Sequence, residues 1–214
     1  MTFRSNLNIL VLGNAANNPV TVGGGYGMVQ SSFKMTPLWG LCDELGIERI
    51  PINEPVIRKC NQELRNCITY VGLPNTNGDG PYDSHVDQGP TREKNQHEIQ
   101  EVVQYHLTGF TEKFFDYTFI FAGLESGEGG DRGDHNWIQE VFFYLEHFQN
   151  PGKVIGCVTA PGPITLHRMK KHAHSIVYSI MPGQQYTSGL MNIIFGRVNP
   201  SAKLAFTIPE EHNQ

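Results

Sequence analysis

Six short apolar runs, rich in β-branched residues, recur along this chain: LNILVLG (7–13), IERIPI (47–52), CITYVGL (67–73), YTFIFAG (117–123), KVIGCVT (153–159) and SIVYSI (175–180). Each reads as a short strand buried on both faces. A sheet of such strands is stable only if helices cover both of its sides. The segments between the runs supply candidates. TPLWGLCDELG (36–46) opens on Thr-Pro, an N-cap followed by a first-turn proline, and stops at glycine. REKNQHEIQEVVQYHL (92–107) and HNWIQEVFFYLEHF (135–148) carry apolar residues at three- and four-residue spacing, and PITLHRMKKH (163–172) and GQQYTSGLMNIIFG (183–196) follow. The alternation predicts an α/β fold: a three-layer sandwich of helices around a mostly parallel, flavodoxin-like sheet. The stretch LPNTNGDGPYDSHVDQGP (73–90) breaks the pattern, and residues 74–91 are expected to form an irregular surface loop.

A parallel sheet of this kind places its sites in loops beyond the carboxyl ends of the strands. Two glycine-rich segments leave strands at that end. One is GNAANNPVTVGGGYG (13–27), the other GLESGEGGDRGD (123–134). The first lacks GxxxxGK[ST] and does not fit GxGxxG between a strand and an adjacent helix. A wide turn is the plainer reading, and no cofactor is expected. The second carries Glu125 and Glu128 among glycines, directly behind an apolar strand. Either it only turns the chain, or it brings a carboxyl group to a reaction.

Other chemistries find little support. The net charge of −5 advertises no basic face, so a nucleic-acid partner is not expected. His167, His172 and His174 lie close in sequence, but a helix ending near His172 would scatter them, and no metal is expected. GxSxG is absent. No run has the roughly 18 apolar residues of a membrane span. No signal peptide and no permitted glycosylation sequon is seen. Cys42, Cys60, Cys67 and Cys157 show no CxxC spacing. They read as free thiols of a reducing compartment, with a Cys60–Cys67 bridge as the alternative, and a cytoplasmic location is expected.

Several pieces, in order, resemble one family. YTFIFAGLESGEGGDR, then KVIGCVTAPGPITL, then SIVYSIMPGQQYTSGLMNIIFGRVNPSAKLAFTIP look like the C-terminal domain of glycoside hydrolase family 3, the β-glucosidase type. NILVLGNAANNPVTVGGGYG and TPLWGL resemble its opening, so the likeness covers 1–46 and 114–209. Ala202 and Ala205 stand where the family pattern has glycine and proline, and Gln185 stands where it has a glutamate. The resemblance implies a single domain over 1–214, without the TIM barrel that precedes it in the family and carries the aspartate nucleophile. Retaining hydrolysis needs two carboxyl groups roughly 5–5.5 Å apart. In several members the glutamate of Ser-Gly-Glu-Gly is the acid/base, a position held here by Glu128, with Glu125 as the rival. The resemblance further implies that Ser126, Gly127 and Gly129 approach substrate, while Asp131 and Arg132 brace the loop. Expected partners are a β-glucoside-class carbohydrate or a barrel-bearing chain, and a second copy in a homodimer. The competing readings are a non-catalytic carbohydrate-binding or assembly protein, and a flavodoxin-like nucleotide binder.

Overall fold

The structure is a computed structural model, and residues 5–25, 28–51, 56–72, 109–124 and 145–210 are described. Among the described residues six strands form one sheet: β1 (Asn8–Leu12), β2 (Val56–Asn61), β3 (Asn66–Val71), β4 (Tyr117–Gly123), β5 (Lys153–Thr159) and β6 (Ser175–Ser179). Their order is β2-β3-β1-β4-β5-β6. All neighbours run parallel except β2, which pairs antiparallel with β3. The expected mostly parallel, doubly covered sheet is therefore what forms.

The covering helices follow from their ends. Helix α1 (Pro37–Leu45) begins where Thr36 Oγ1 accepts the Trp39 amide at 3.2 Å. It ends at Gly46, whose φ of 64° is left-handed. Helix α2 (His167–His172) is shorter than the 163–172 pattern, and α3 (Tyr186–Ile194) is shorter than 183–196. In both cases the proline- or glycine-bearing lead-in stays outside the helix.

Side-chain alternation along the strands makes two cores. Ile9, Val11, Ile68, Tyr70, Phe119, Phe121 and Cys157 face α1 and α3 with Leu38, Leu41, Leu45 and Leu190. Leu10, Leu12, Val71, Ile120, Val154 and Val158 face the other side, where Met169 of α2 and Leu166 lie. Helices α1 and α3 cross at Gly40. A Cβ there would lie 2.6 Å from Thr187 Cγ2 and 3.0 Å from Met191 Cγ. The glycine lets the two backbones approach closely.

Two expectations are corrected. IERIPI is not a strand: residues 47–51 are irregular, although Ile47 and Ile50 are buried. Its apolar residues anchor the chain beneath α1, where Trp39 Nε1 donates to the Ile50 carbonyl at 2.7 Å, and Pro51 cannot donate to a sheet ladder. The strand is instead VIRKCN, a half-exposed edge. Cys60 and Cys67 are not free thiols. They face each other across the β2–β3 ladder and form a disulfide, while Cys42 and Cys157 are free and buried. The sequence interval of seven residues fits a hairpin, and antiparallel pairing sets the two Cβ atoms side by side. The expected loop 74–91 and the helix 92–107 lie outside the described residues, as does 135–148 up to residue 144.

Candidate active site at the carboxyl ends of β1 and β4

The chain runs from β1 to β3 on one side of β1, then to β4 on its other side. The order therefore reverses at β1/β4, the switch point at which open α/β sheets place their ligands. Both glycine-rich segments leave the sheet there. After β1, Gly13 donates its amide to the Val71 carbonyl at 3.0 Å, and Asn14–Ala16 form a 3-10 turn with Ala15 and Ala16 buried. After β4, the Leu124 amide donates to the Thr159 carbonyl at 2.9 Å, which extends the β4–β5 pairing by one residue.

Gly123 is the close-packed point of this junction. A Cβ on it would lie 2.8 Å from Val20 Cγ2 and 2.9 Å from Thr159 Oγ1. Val20, itself buried, thus sits over the end of β4. The loop after β1 then reaches the turn after β6. Gly183 N donates to the Thr21 carbonyl at 2.8 Å, and Ser32 N donates to Gln184 Oε1 at 3.1 Å. Thr187 Oγ1 of α3 donates to the Met35 carbonyl. These links tie the 19–35 loop to α3 and its preceding turn, so the departure point of the β4 loop is built on fixed elements.

Leu124 is the last described residue before that loop. Glu125, Ser126, Gly127, Glu128, Gly129, Asp131 and Arg132 lie outside the described residues. Glu128 is four residues beyond Leu124, so an extended backbone carries its Cα at most about 14 Å from that point. Met28, Val29 and Phe33 on the β1 loop are 54%, 70% and 51% exposed, and Ile180 after β6 is 46% exposed.

Among the described residues, the large titration shifts sit elsewhere. Burial raises the Cys42 thiol to about 11, and it drives Cys157 and the Tyr186 hydroxyl upward as well. All three belong to the core between the sheet and α1/α3, and they serve packing. Among the described residues no three His, Cys, Asp or Glu side chains gather to hold a metal. His167 and His172 stand at opposite ends of α2. His174 accepts the Val154 amide on Nδ1 at 3.1 Å. Sequence reading missed Val20, Thr21, Ser32 and Gln184 as builders of this junction. The signals available were the 13–27 segment, which holds Val20 and Thr21, and the family resemblance of the stretch around Gln185.

Residues 3–214 match the family described as "Glycosyl hydrolase family 3 C-terminal domain". This chain belongs to that family. A probable β-glucosidase I of Aspergillus niger is 34% identical over 100 residues, 42% of this chain and 12% of that protein. Beta-glucosidase 1 of Aspergillus aculeatus is 28% identical over 101 residues, again 42% of this chain and 12% of its own length. Among solved structures, the β-D-glucoside glucohydrolase of Trichoderma reesei is similar with a TM-score of 0.61 at 17% identity, over 98% of this chain and 27% of that one. The β-glucosidase D2-BGL of Chaetomella raphigera reaches 0.62 at 16% identity, over 98% and 27%. At such identities the structural likeness establishes the fold. The family 3 domain described here corresponds to a small part of each relative it matches.

Proposed function

We propose that this family 3 C-terminal domain supplies the acid/base loop for hydrolysis of O-glycosidic bonds of the β-glucoside class. Glu128 is the acid/base, and the nucleophile comes from a barrel domain. The observation that carries this reading is the position of the loop: β4 ends at Gly123 beside β1, at the switch point of the sheet, and SGEGGDR begins three residues later in the sequence. A carboxyl group there stands at an edge from which it can be delivered across a domain boundary. One residue must serve both steps of a retaining reaction, protonating the leaving-group oxygen and then deprotonating water. Glu125 is the rival for that role. Ser126, Gly127 and Gly129 are proposed to lie against the sugar, with Asp131 and Arg132 bracing the loop.

The test is Glu128→Gln in the presence of a barrel domain. Activity should fall most with poor leaving groups and least with activated aryl glycosides, and azide should partly restore the second step. Glu125→Gln should show neither signature. Equal behaviour of the two variants refutes the assignment. The chain alone should hydrolyse aryl β-glucosides no faster than buffer, because the retaining route needs a second carboxyl group.

The exposed Met28, Val29, Phe33 and Ile180 support a partner over the same face. A barrel domain is the first candidate and a second copy of this chain the alternative, which corresponds to the assembly reading. A strictly monomeric mass at high micromolar concentration, with no barrel-bearing partner recovered, counts against both. Among the described residues no helix is long and apolar enough to cross a membrane. The cytoplasmic reading rested on seeing no signal peptide, membrane span or sequon, and on reading the four cysteines as free thiols. With Cys60 and Cys67 bridged the thiol support is gone, and a compartment that sustains disulfides is the reading proposed in its place.

A further inference from the structure

The Cys60–Cys67 bond joins the one antiparallel strand to an otherwise parallel sheet. The Cys67 amide donates to the Leu7 carbonyl at 2.7 Å, toward β1 and away from β2. The 60/67 pair is therefore a non-hydrogen-bonded one, in keeping with its Cα–Cα distance of 4.1 Å. No backbone bond of the β2–β3 ladder depends on these two residues facing each other. Cys60 is exposed and Cys67 half-buried. The bond closes a short hairpin at the amino end of β3, whose turn is held by Asn61 Oδ1 accepting the Leu64 amide at 3.0 Å. That end is opposite to the β1/β4 switch point.

Besides its six-residue ladder with β3 and the packing of Val56 and Ile57 against the two cores, β2 is held by a few side-chain contacts. Its side chains are half-buried or exposed, whereas β3 is almost wholly buried. Lys59 pairs with the exposed Glu48, a surface contact that contributes little. Arg58 donates to Asn8 Oδ1 at 2.9 Å and to Thr69 Oγ1, and Asn61 Nδ2 donates to the Gly46 carbonyl at 2.5 Å. The two other cysteines cannot compete for exchange. Cys42 and Cys157 are buried on the α1/α3 face with their thiols held protonated by desolvation.

We propose that Cys60–Cys67 is a solvent-accessible, reversible redox staple: a dithiol reductant opens it without unfolding the parallel body of the sheet, and this loosens the edge strand β2. One thiolate of the reductant attacks the exposed Cys60 sulfur and expels the Cys67 thiolate, which takes up a proton. The second thiol of the reductant then displaces Cys60, so two protein thiols form and the reductant leaves as its cyclic disulfide. Reoxidation regenerates the same pair, because no third thiol is within reach of the surface among the described residues.

The experiment treats the native chain with dithiothreitol, alkylates it with N-ethylmaleimide, and counts and maps the labels by mass spectrometry. Two labels, at Cys60 and Cys67, are expected, with Cys42 and Cys157 unmodified. Hydrogen exchange should rise within 56–61, on the order of 50-fold if the closed loop of about eight residues carries the usual entropy, while β1, β4 and β5 keep their protection. After removal of reductant, peptide mapping should recover only the 60–67 bridge. The double variant Cys60→Ser/Cys67→Ser should exchange like the reduced protein and ignore dithiothreitol. The proposal is overturned by no labelling before global unfolding, by labelling of all four cysteines, by unchanged exchange in β2, or by a different bridge on reoxidation.

Discussion

Replacing Gly40 with alanine pits two effects of known size against each other. In an exposed helix interior the change would stabilise by about 0.8–1 kcal/mol through backbone propensity. Gly40 is instead buried at the α1/α3 crossing, where the added methyl would lie 2.6 Å from Thr187 Cγ2 and 3.0 Å from Met191 Cγ. Met191 is unbranched and can give way. Thr187 cannot turn aside freely, because its hydroxyl donates to the Met35 carbonyl and so fixes its rotamer. Overpacking costs typically about 1–3 kcal/mol, and loss of that hydrogen bond would add about 1 kcal/mol. The clash therefore outweighs propensity, and Gly40→Ala should destabilise by about 1–3 kcal/mol. Thr187→Ser removes the offending methyl while keeping the hydroxyl, and alone it should cost about 1 kcal/mol for the small void. Together the two changes should nearly restore wild-type stability, since the new methyl fills the void. Urea unfolding with unchanged m-values would report this as a coupling energy of about 2–4 kcal/mol in a double-mutant cycle. If Gly40→Ala stabilises the chain, or if the two effects simply add, the close approach of α1 and α3 is not what selects glycine.

Three further outcomes are expected. Gly123→Ala forces Val20 and the Thr159 hydroxyl apart at the base of the candidate loop, and it should destabilise by about 1–3 kcal/mol, read by thermal unfolding; a neutral result would show that Val20 does not sit over β4. Asn66→Ala removes the side chain that accepts the Leu7 amide and donates to the Leu45 carbonyl, each at 2.9 Å, leaving two backbone groups without that partner. It should cost about 2–4 kcal/mol in urea titration, and a loss below about 1 kcal/mol would refute the bridging role. Stability should also fall at alkaline pH. Burial raises Cys42 from 9.0 to about 11, so the thiol is neutral in both states below pH 9 and ionises first in the unfolded chain above it. The loss therefore runs through the window from about pH 9 to 11 and reaches about 2 kcal/mol from Cys42, with Cys157 and Tyr186 acting in the same direction; Cys42→Ala should flatten part of the slope, and an identical slope would exclude this cause.

The sequence by itself determined the strand content of the parallel body, the α1 boundaries and the family. β-branched runs bounded by glycine admit few alternatives, and Thr36-Pro37 with Gly46 marks both ends of α1 by local chemistry alone. The candidate loop is named from its contiguous motif alone, since Glu125 to Arg132 lie outside the described residues. What the sequence left open depended on pairing between distant residues. IERIPI read as the strand, but the strand that forms is VIRKCN, because an antiparallel edge tolerates Arg58 and Lys59 on its half-exposed surface, while Ile47 and Ile50 are buried beneath α1. The four cysteines had no telling spacing, and only the hairpin register set Cys60 against Cys67. The junction at β1/β4 is the clearest case. Val20 over Gly123, Thr21 with Gly183 and Ser32 with Gln184 join segments more than a hundred residues apart. No local propensity encodes such contacts. They exist because strand order folds the loop after β1 across the ends of β4 and β5, and that order is a property of the assembled sheet.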